Sequence, residues 1–484
     1  MSYKNLSIEK SKKYKNLIII FTIFASIIEI LILINYKQDL YMIAYESIFI
    51  YFIFFITWFL HCKNKLNFYT IFLAFTYAFY FGQFLLLLLG IPFKTDRNIV
   101  SGLLPYDGIL KTAILILIFM IILHLTVLLS TSNINKYSCT ELKENNGNSK
   151  VIYKNYEFKK IALFMFYISI IPSFIDLIDN IKITFSSGYG AIFSSERYTL
   201  GGFDNILKFI SLFTIPSFLM LFILYKNTKK LKIINLIFMV YIIMYFMSGS
   251  RLSGVLILTV ILLIRHYWYK EFTNREFIKI SIIAFVLIAI MSLISEIRNS
   301  IYISNDIGEL IENSFKNIMY DNPIFVALEE TGYTFLATAT VITYCPIVVP
   351  FNKGASYLNS LLMLFPNLFW DVHPAAASNT DIVFRRFLTQ YGGIGSSFIA
   401  EAYYNFGFLC ILLAPLFGIL IGILTKNIIK YSRQNNYSKF YLYIYVAQFT
   451  LFYVRSDTVS FWRNFVYYGV IPLCFLKLIS LKNK

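Results

Sequence analysis

Long apolar runs dominate the chain, and short polar segments separate them. Twelve of these runs approach or exceed the length that a transmembrane helix needs, about 20 residues. They lie at about 17–35, 40–60, 68–90, 110–130, 160–180, 206–225, 231–248, 252–268, 278–295, 399–425, 440–455 and 462–480. The pattern therefore predicts an all-α polytopic membrane protein with about 12 transmembrane helices.

Composition supports this class of protein. Of the 484 residues, 58% are hydrophobic and only 14% are charged. The net charge of +17 does not indicate a nucleic-acid-binding protein, because the basic residues form short clusters between apolar runs and not one soluble face. We therefore expect the lipid bilayer as a partner, and no nucleic acid.

The distribution of charge between the connections predicts the orientation of the chain. If the twelve runs all span, most of the 43 Lys and Arg residues fall on the side of the N-terminus. Most of the 26 Asp and Glu residues fall on the other side. Because cytoplasmic loops are enriched in Lys and Arg, both termini are predicted to be cytoplasmic.

The same pattern divides the chain into five segments. They are an N-terminal four-helix group (1–130), a cytoplasmic polar linker (131–160), a central five-helix group (161–295), a large extracytoplasmic loop between helices 9 and 10 (296–398) and a C-terminal three-helix group (399–484). A loop as long as 296–398 is usually functional or disordered. Its aromatic and apolar content argues against disorder.

Two short apolar runs lie within this loop. Thr334 to Val349 is interrupted by Pro346, and Tyr357 to Trp370 is interrupted by Pro366. Neither run is long enough to span alone, so we expect interfacial or re-entrant helices that lie over the bundle. A hidden hairpin that spans twice is the structural alternative, and it leaves the topology downstream unchanged.

The predicted outer ends of the helices carry arginines, whereas lysine dominates the cytoplasmic side. They are Arg251 in a Ser-Gly-Ser-Arg turn, Arg298, Arg385 and Arg386 in the long loop, Arg455 and Arg463. A guanidinium presents a planar fork that binds phosphate through two hydrogen bonds. We interpret the set as a binding site for a shared anionic ligand. The alternative for each arginine is that it extends to lipid headgroups.

A glycine-rich turn, Gly392 to Ser397, leads into a segment that contains Glu401 and Asn405. The glycines permit backbone conformations that other residues avoid, and a serine can cap a helix start. Glu401 and Asn405 are four residues apart and share one helical face. An ionisable residue in an apolar segment at the membrane boundary is a functional candidate. The alternative is that Glu401 only complements the helix dipole.

Several other polar residues have structural interpretations. His373 can act as a base, although a single histidine in a loop is more often only solvated. Asp457 is expected to form a salt bridge with Arg455 or Arg463. Gly418 and Gly422 form a small-xxx-small pair that is typical of close helix packing.

The sequence contains no motif that is typical of a metal site or a cofactor site. The five cysteines, at 62, 139, 345, 410 and 474, show no metal-ligand spacing and predict no disulfide framework. There is no phosphate-binding glycine loop, dinucleotide fingerprint or HExxH motif. We therefore expect no metal site and no cofactor.

The chain resembles the Wzy-type polymerases of O-antigen and capsular polysaccharide repeat units. Three motifs carry the resemblance, and with the helix count it covers most of the chain. They are Glu401-Ala402-Tyr403-Tyr404-Asn405-Phe406-Gly407 after the glycine-rich turn, Ser248-Gly249-Ser250-Arg251 at a helix start, and Tyr357-Leu358-Asn359-Ser360-Leu361 running to Phe365-Pro366-Asn367.

The resemblance implies an integral-membrane glycosyltransferase of the bacterial cytoplasmic membrane that acts on its outer face. The donor would be a glycan on undecaprenyl pyrophosphate, and the acceptor would be a hydroxyl of a second lipid-linked repeat unit. A chain-length regulator and a flippase of the same pathway would be partners. Arginines can stabilise the pyrophosphate leaving group without a metal.

Transfer to a sugar hydroxyl also requires a base. Glu401 is the first candidate for this base, followed by Asp381 and His373. Tyr403, Trp370 and Tyr391 are candidates for stacking on sugar rings, or they are interfacial anchors. A flippase for lipid-linked oligosaccharide and a glycan ligase are the alternative functions.

Overall fold

The computed structural model describes residues 3–35, 39–62, 65–132, 134, 149–187, 203–273, 275–276, 278–280, 282–283, 322–364, 373–387 and 395–474. These residues form helices and connections, and no strand occurs among them. The prediction of an all-α polytopic membrane protein is confirmed.

Nine helices in this part of the chain are long and apolar enough to cross a membrane. They are Asn16–Asn35, Leu40–His61, Phe68–Leu88, Tyr106–Ser130, Glu157–Ser186, Ile206–Leu224, Lys230–Met247, Arg251–Tyr269 and Phe398–Arg433. Most of the predicted run 278–295 lies outside the described residues. The predicted run 440–455 corresponds to helix Tyr437–Tyr453. The last run begins within helix Thr458–Asn464, which continues as the π-helix Phe465–Val470 and then as a helix to residue 474, where the described residues end. The total of twelve spans and the orientation stay predictions.

The chain forms two compact units. The first contains Met1–Leu142, Leu328–Arg433 and Tyr453–Arg463, and the second contains Lys143–Ala327, Gln434–Phe452 and Asn464–Lys484. Each unit combines segments that are distant in sequence. The candidate site described below lies wholly in the first unit.

The first unit is built on four long helices: α1 (Tyr3–Asn35), α2 (Leu40–His61), α3 (Phe68–Leu88) and α4 (Tyr106–Ser130). Asp39 and Asn67 cap α2 and α3, because each side chain accepts a hydrogen bond from a backbone N–H of the first turn. Buried aromatic side chains, among them Trp58 and Phe119, fill the space between these helices. The result is a packed scaffold for the segments that follow.

Helix Ala414–Arg433 packs against α4 through two glycines. A Cβ atom on Gly418 would lie 2.7 Å from the carbonyl oxygen of Leu123. A Cβ atom on Gly422 would lie 3.1 Å from the Cβ atom of Ser130. The predicted role of this glycine pair in close helix packing is confirmed.

The first apolar run of the long loop forms a buried helix, Tyr333–Tyr344. Every residue from Thr334 to Ile342 is buried. This helix contacts both α3 and α4, and Gly108 of α4 lies directly against the Thr343 side chain. An interfacial helix would bury only one face, so burial on all sides favours the re-entrant form of the prediction.

The preceding helix, Pro323–Thr331, is fastened to the connection between α3 and α4. The Glu329 carboxylate accepts hydrogen bonds from the backbone N–H groups of Lys94 (3.0 Å) and Thr95 (2.9 Å) and from the Thr95 hydroxyl (2.7 Å). Gln83 of α3 donates to the Glu329 carbonyl oxygen at 3.1 Å. These bonds give this buried glutamate a structural role.

The end of the long loop reaches the middle of the first unit. The Phe398 ring packs against Phe72 and Tyr80 of α3 and Phe119 of α4, at centroid distances of 6.4, 6.4 and 5.8 Å. Tyr80 and Phe119 lie near the midpoints of their helices. The segment around Phe398 is therefore inserted into the bundle and does not lie over it.

The second unit contains one long helix, Ser149–Ser187, whose first residues fall within the predicted linker 131–160. Helices Phe203–Ser211 and Thr214–Leu224 pack along it. The tight turn predicted at Ser248 to Arg251 is confirmed, because one helix ends at Met247 and the next begins at Arg251. Gly249 in this turn has φ +89°, a conformation that favours glycine.

Substitution of Gly418 by alanine tests the helix contact. The added methyl would overlap the Leu123 carbonyl oxygen, a backbone atom that cannot move without shifting α4. We expect a loss of about 1–3 kcal/mol in stability, measured as a lower midpoint for heat-induced unfolding of the detergent-purified protein.

The matched control is Leu420→Ala on the same helix, where the side chain is 54% exposed. We expect this control to change the midpoint less than Gly418→Ala. Equal midpoints for the two variants would show that the glycine contact is not tight.

Candidate functional site

The first part of the helical segment Phe398–Arg433 is a short α-helix, Phe398–Phe406, which presents the predicted site residues. A 3₁₀ helix, Gly407–Leu413, joins it to helix Ala414–Arg433. Gly395 precedes it with φ +76°, and the Ser397 hydroxyl caps its first turn by accepting a bond from Ala400 N at 3.0 Å. The same hydroxyl is 2.8 Å from the Thr338 hydroxyl of the buried helix. The roles predicted for Gly395 and for the serine cap are therefore confirmed, whereas Gly392 and Gly393 lie outside the described residues.

Glu401 lies one turn into this helix and is fully buried, with 0% of its surface exposed. Its Oε1 atom accepts a hydrogen bond from the Ser356 hydroxyl at 2.7 Å. Its Oε2 atom accepts from Thr458 N at 2.8 Å, from the Thr458 hydroxyl at 2.6 Å and from the Tyr453 hydroxyl at 3.1 Å. Four donors from two other segments of the chain thus converge on one carboxyl group.

Asn405 lies one turn beyond Glu401 on the same face, as predicted. Its Nδ2 atom donates to the Ser356 hydroxyl at 2.7 Å and to the Glu401 carbonyl oxygen at 2.8 Å. Its Oδ1 atom accepts from Gly354 N at 2.9 Å. Gly354 has φ +87° and begins helix Ala355–Leu362, so Asn405 fixes the backbone that positions Ser356.

This arrangement determines what Glu401 can do chemically. Both of its oxygens are engaged, and burial separates them from water. A substrate hydroxyl reaches Glu401 only if one of the present donors is displaced. The described geometry therefore supports a positioning role, in which Glu401 ties Ser356 and Thr458 to the helix. Its role as the base stays a prediction.

Asp457 lies next to Thr458 in the turn between helices Tyr437–Tyr453 and Thr458–Asn464. It is 3% exposed, and its Oδ1 atom accepts only long bonds from Ser460, 3.4 Å from N and 3.5 Å from Oγ. The Oδ2 atom is buried and has no hydrogen-bond partner among the described residues. A buried polar atom without a partner is costly and calls for an explanation.

The surroundings of Asp457 also set its acidity. Burial, together with the negative charges of Glu401 and Asp381, raises the pKa of Asp457 to about 7. An ion pair with Arg455 or Arg463 would instead lower this pKa. The sequence predicted such a salt bridge and gave no reason to expect a carboxyl group that titrates near neutrality.

Asp381 connects two other parts of the predicted site. Its Oδ2 atom accepts from Arg385 Nη2 at 2.5 Å, and its Oδ1 atom accepts from Gly395 N at 2.7 Å. The Arg385 side chain is 51% exposed and therefore accessible to a ligand. Arg386, also exposed, stacks over the Phe387 ring at 4.9 Å.

The remaining candidates are distributed more widely. His373 is half-buried at the start of a short helix, where its Nδ1 atom accepts from Ala375 N at 3.2 Å. Tyr403 is 3% exposed and packs edge-on against Phe351 and Phe408, so it contributes to the core. Arg455 is half-buried in the turn that carries Asp457.

Other predicted residues cannot be placed beside Glu401. Arg251 is half-buried in the second unit. Arg298, Trp370, Tyr391 and the Arg463 side chain lie outside the described residues. Their convergence on the site stays a prediction.

Ser356, Tyr453 and Thr458 were not identified from the sequence. Hydroxyl residues recur throughout this chain, and no spacing distinguishes these three. Asp457, which precedes Thr458, was singled out from the sequence, but only as a residue expected to form a salt bridge. Among the described residues, no group of three or more His, Cys, Asp or Glu side chains is arranged to hold a metal ion.

No curated protein and no solved structure matches this chain. A family model does match: O-antigen polysaccharide polymerase Wzy, over residues 14–484. The match covers nearly the whole chain, including every residue of the site described above. The chain belongs to the O-antigen polysaccharide polymerase Wzy family.

Proposed function

We propose that the chain joins repeat units carried on undecaprenyl pyrophosphate, by metal-independent glycosyl transfer on the outer face of the bacterial cytoplasmic membrane. The match over residues 14–484 carries this proposal. Family membership itself implies O-antigen repeat-unit polymerisation, a lipid-linked oligosaccharide substrate and a membrane setting. The identity of the lipid carrier, the face of the membrane and the absence of a metal are our additions.

The alternative functions receive less support. A lipid-linked oligosaccharide flippase and a glycan ligase were compatible with the sequence. The matching family is one of polymerases, and no described contact favours transport or ligation. A flippase and a chain-length regulator remain proposed partners of the same pathway.

At the anomeric carbon, the reaction forms one bond and breaks one, and a proton passes from the acceptor hydroxyl to a base. The hydroxyl oxygen of the acceptor sugar bonds to the anomeric carbon of the donor glycan. The bond from that carbon to the pyrophosphate oxygen breaks, and the lipid pyrophosphate leaves with the bonding electrons. The hydroxyl proton passes to a base, and cations stabilise the charge that develops on the pyrophosphate.

We propose Asp457 as the base and Glu401 as the group that positions it. The Oδ2 atom of Asp457 is uncommitted, and a pKa near 7 suits proton transfer at neutral pH. Glu401 holds the adjacent Thr458 through the backbone N–H and the hydroxyl. The acceptor hydroxyl would supply the partner that Oδ2 lacks.

Arg385 is the described arginine that is best placed to bind pyrophosphate. Its guanidinium is half exposed, and Asp381 orients it beside the turn that leads to Ser397. Arg386, Arg251, Arg298, Arg455 and Arg463 remain candidates for the same anion. Glu401, Asp381 and His373 remain alternative bases.

The pH dependence of stability tests the state of Asp457. The unfolded pKa is near 3.8 and the folded pKa is about 7. Between these values the folded protein holds a proton that the unfolded chain releases, so the contribution of Asp457 to stability falls as pH rises from about 4 to 7. We expect the unfolding temperature of the wild-type protein to fall relative to that of Asp457→Asn as the pH rises from 5 to 8.

The wild-type protein and Asp457→Asn share all their other titratable groups. The difference between their unfolding temperatures therefore reports on Asp457 alone. A salt bridge between Asp457 and Arg455 or Arg463 would hold the folded pKa below the unfolded value of 3.8. Asp457 would then be ionised in both states above pH 5, and the difference in unfolding temperature between wild type and Asp457→Asn would stay constant from pH 5 to pH 8. That outcome would rule out the proposed base.

Polymer length in cells tests the site. Asp457→Asn removes the base, and we expect lipid-linked single repeats to accumulate with a loss of about 10²–10⁴-fold in polymerisation rate. Gel electrophoresis of the extracted polysaccharide measures the distribution of chain lengths. Asp457→Glu keeps the carboxyl group and should retain more activity than the asparagine variant.

Asp96→Asn is the matched control, because Asp96 is an exposed carboxylate in the connection between α3 and α4. It should give the wild-type distribution at equal protein abundance in the membrane. Wild-type chain lengths in Asp457→Asn would contradict the proposed base.

A further inference from the structure

A cavity of about 660 Å³ lies in the second unit, and none of its lining residues belongs to the site described above. One part of its lining is apolar and includes Phe222, Leu231 and Ile261. Another part carries the cationic side chains of Arg265 and Lys270. Its volume falls within the range of small-molecule sites, about 300–1,000 Å³.

Hydrogen bonds hold together the helices that form the walls of this cavity. The π-helix Arg265–Tyr269 follows helix Arg251–Ile264. Its Trp268 indole donates to the Ile223 carbonyl oxygen at 2.8 Å, and its Tyr269 hydroxyl donates to the Phe222 carbonyl oxygen at 2.5 Å. These side chains satisfy carbonyl groups in the last turn of helix Thr214–Leu224. The cavity is therefore preformed.

The cavity lies where membrane-spanning helices end. Ile206–Leu224 ends beside it, Lys230–Met247 begins there, and Arg251–Tyr269 also ends there. The charge distribution predicts that this end of the unit faces the cytoplasm. An apolar wall beside a cationic mouth at a membrane boundary matches an amphiphile with an anionic headgroup.

The charges at the mouth indicate what kind of anion fits. Glu276 also lines the cavity, and it accepts hydrogen bonds from Thr273 N at 2.8 Å and from the Thr273 hydroxyl at 3.0 Å. These bonds, with the charges of Lys270 and Arg265, lower the pKa of Glu276. Arg265 and Lys270 are the cations and Glu276 is the anion among the lining residues, so the lining carries a net charge of +1. A phosphodiester carries one negative charge, whereas a pyrophosphate carries more.

We propose that this cavity binds an anionic phospholipid of the cytoplasmic leaflet. Arg265 and Lys270 hold the phosphodiester, and the start of an acyl chain lies against Leu231 and Ile261. The apolar wall favours a lipid over free phosphate, because phosphate alone would leave that wall exposed to water. This site is independent of the proposed glycosyl transfer.

The test uses the full-length protein purified in detergent. Three ligands are added separately: short-chain phosphatidylglycerol, short-chain phosphatidylcholine and inorganic phosphate. The unfolding temperature is measured as each concentration rises, because a ligand that binds the folded state stabilises it. We expect phosphatidylglycerol to raise the unfolding temperature at concentrations where the other two have no effect.

Variants then locate the site. Arg265→Gln combined with Lys270→Gln should weaken phosphatidylglycerol binding by about tenfold or more, because hydrogen bonds to charged groups are lost. Lys229→Gln combined with Lys232→Gln is the matched control, because these exposed lysines lie at the same end but do not line the cavity. The control should bind as wild type does.

Leu231→Trp fills the cavity without changing its charge and provides a second test if the double variant folds poorly. It should also weaken phosphatidylglycerol binding. Equal stabilisation by phosphatidylcholine, or wild-type binding in both cavity variants, would overturn the proposal. Stabilisation by inorganic phosphate alone would replace the lipid site with a free-anion site. None of these outcomes bears on polymer synthesis.

Discussion

A carboxyl group inside an apolar bundle needs hydrogen-bond donors, and this requirement determines which segments meet at the centre of the first unit. Glu401 is fully buried and lies in a helix that packs among aromatic rings. Without donors, burial of this group would cost several kcal/mol. The donors come from Ser356 on one side and from Tyr453 and Thr458 on the other. This requirement fixes the relative positions of three segments that are distant in sequence.

Short helices are stable here because protein surrounds them. Helix Tyr333–Tyr344 has 12 residues, too few to cross a bilayer, yet its neighbours α3 and α4 enclose it. Phe398 is similarly inserted between these helices. Breaks in the helices leave backbone and hydroxyl groups inside the bundle, where a polar substrate would otherwise find no partners. The proposed active site therefore depends on the same breaks that make these segments hard to recognise in the sequence.

The sequence predicted features that depend on local chemistry. The conformation of Gly395, the Ser397 cap, the shared face of Glu401 and Asn405, and the packing of Gly418 and Gly422 follow from rules that act over a few residues. Burial of Tyr333–Tyr344 could not be predicted, because an apolar run does not show whether lipid or protein covers it. The contribution of Thr458 could not be predicted either, since it lies 57 residues beyond Glu401 in the chain. The surroundings that set the acidity of Asp457 are likewise tertiary.

This separation along the chain has a consequence for biogenesis. Glu401 is synthesised before Tyr453 and Thr458, so three of its four hydrogen-bond donors are missing while the chain is incomplete. Until the last helices are in place, the bundle holds a carboxyl group with few hydrogen-bond partners. A chain truncated before Tyr453 keeps this defect. The hydrogen bonds of one side chain therefore differ between an unfinished chain and a complete one.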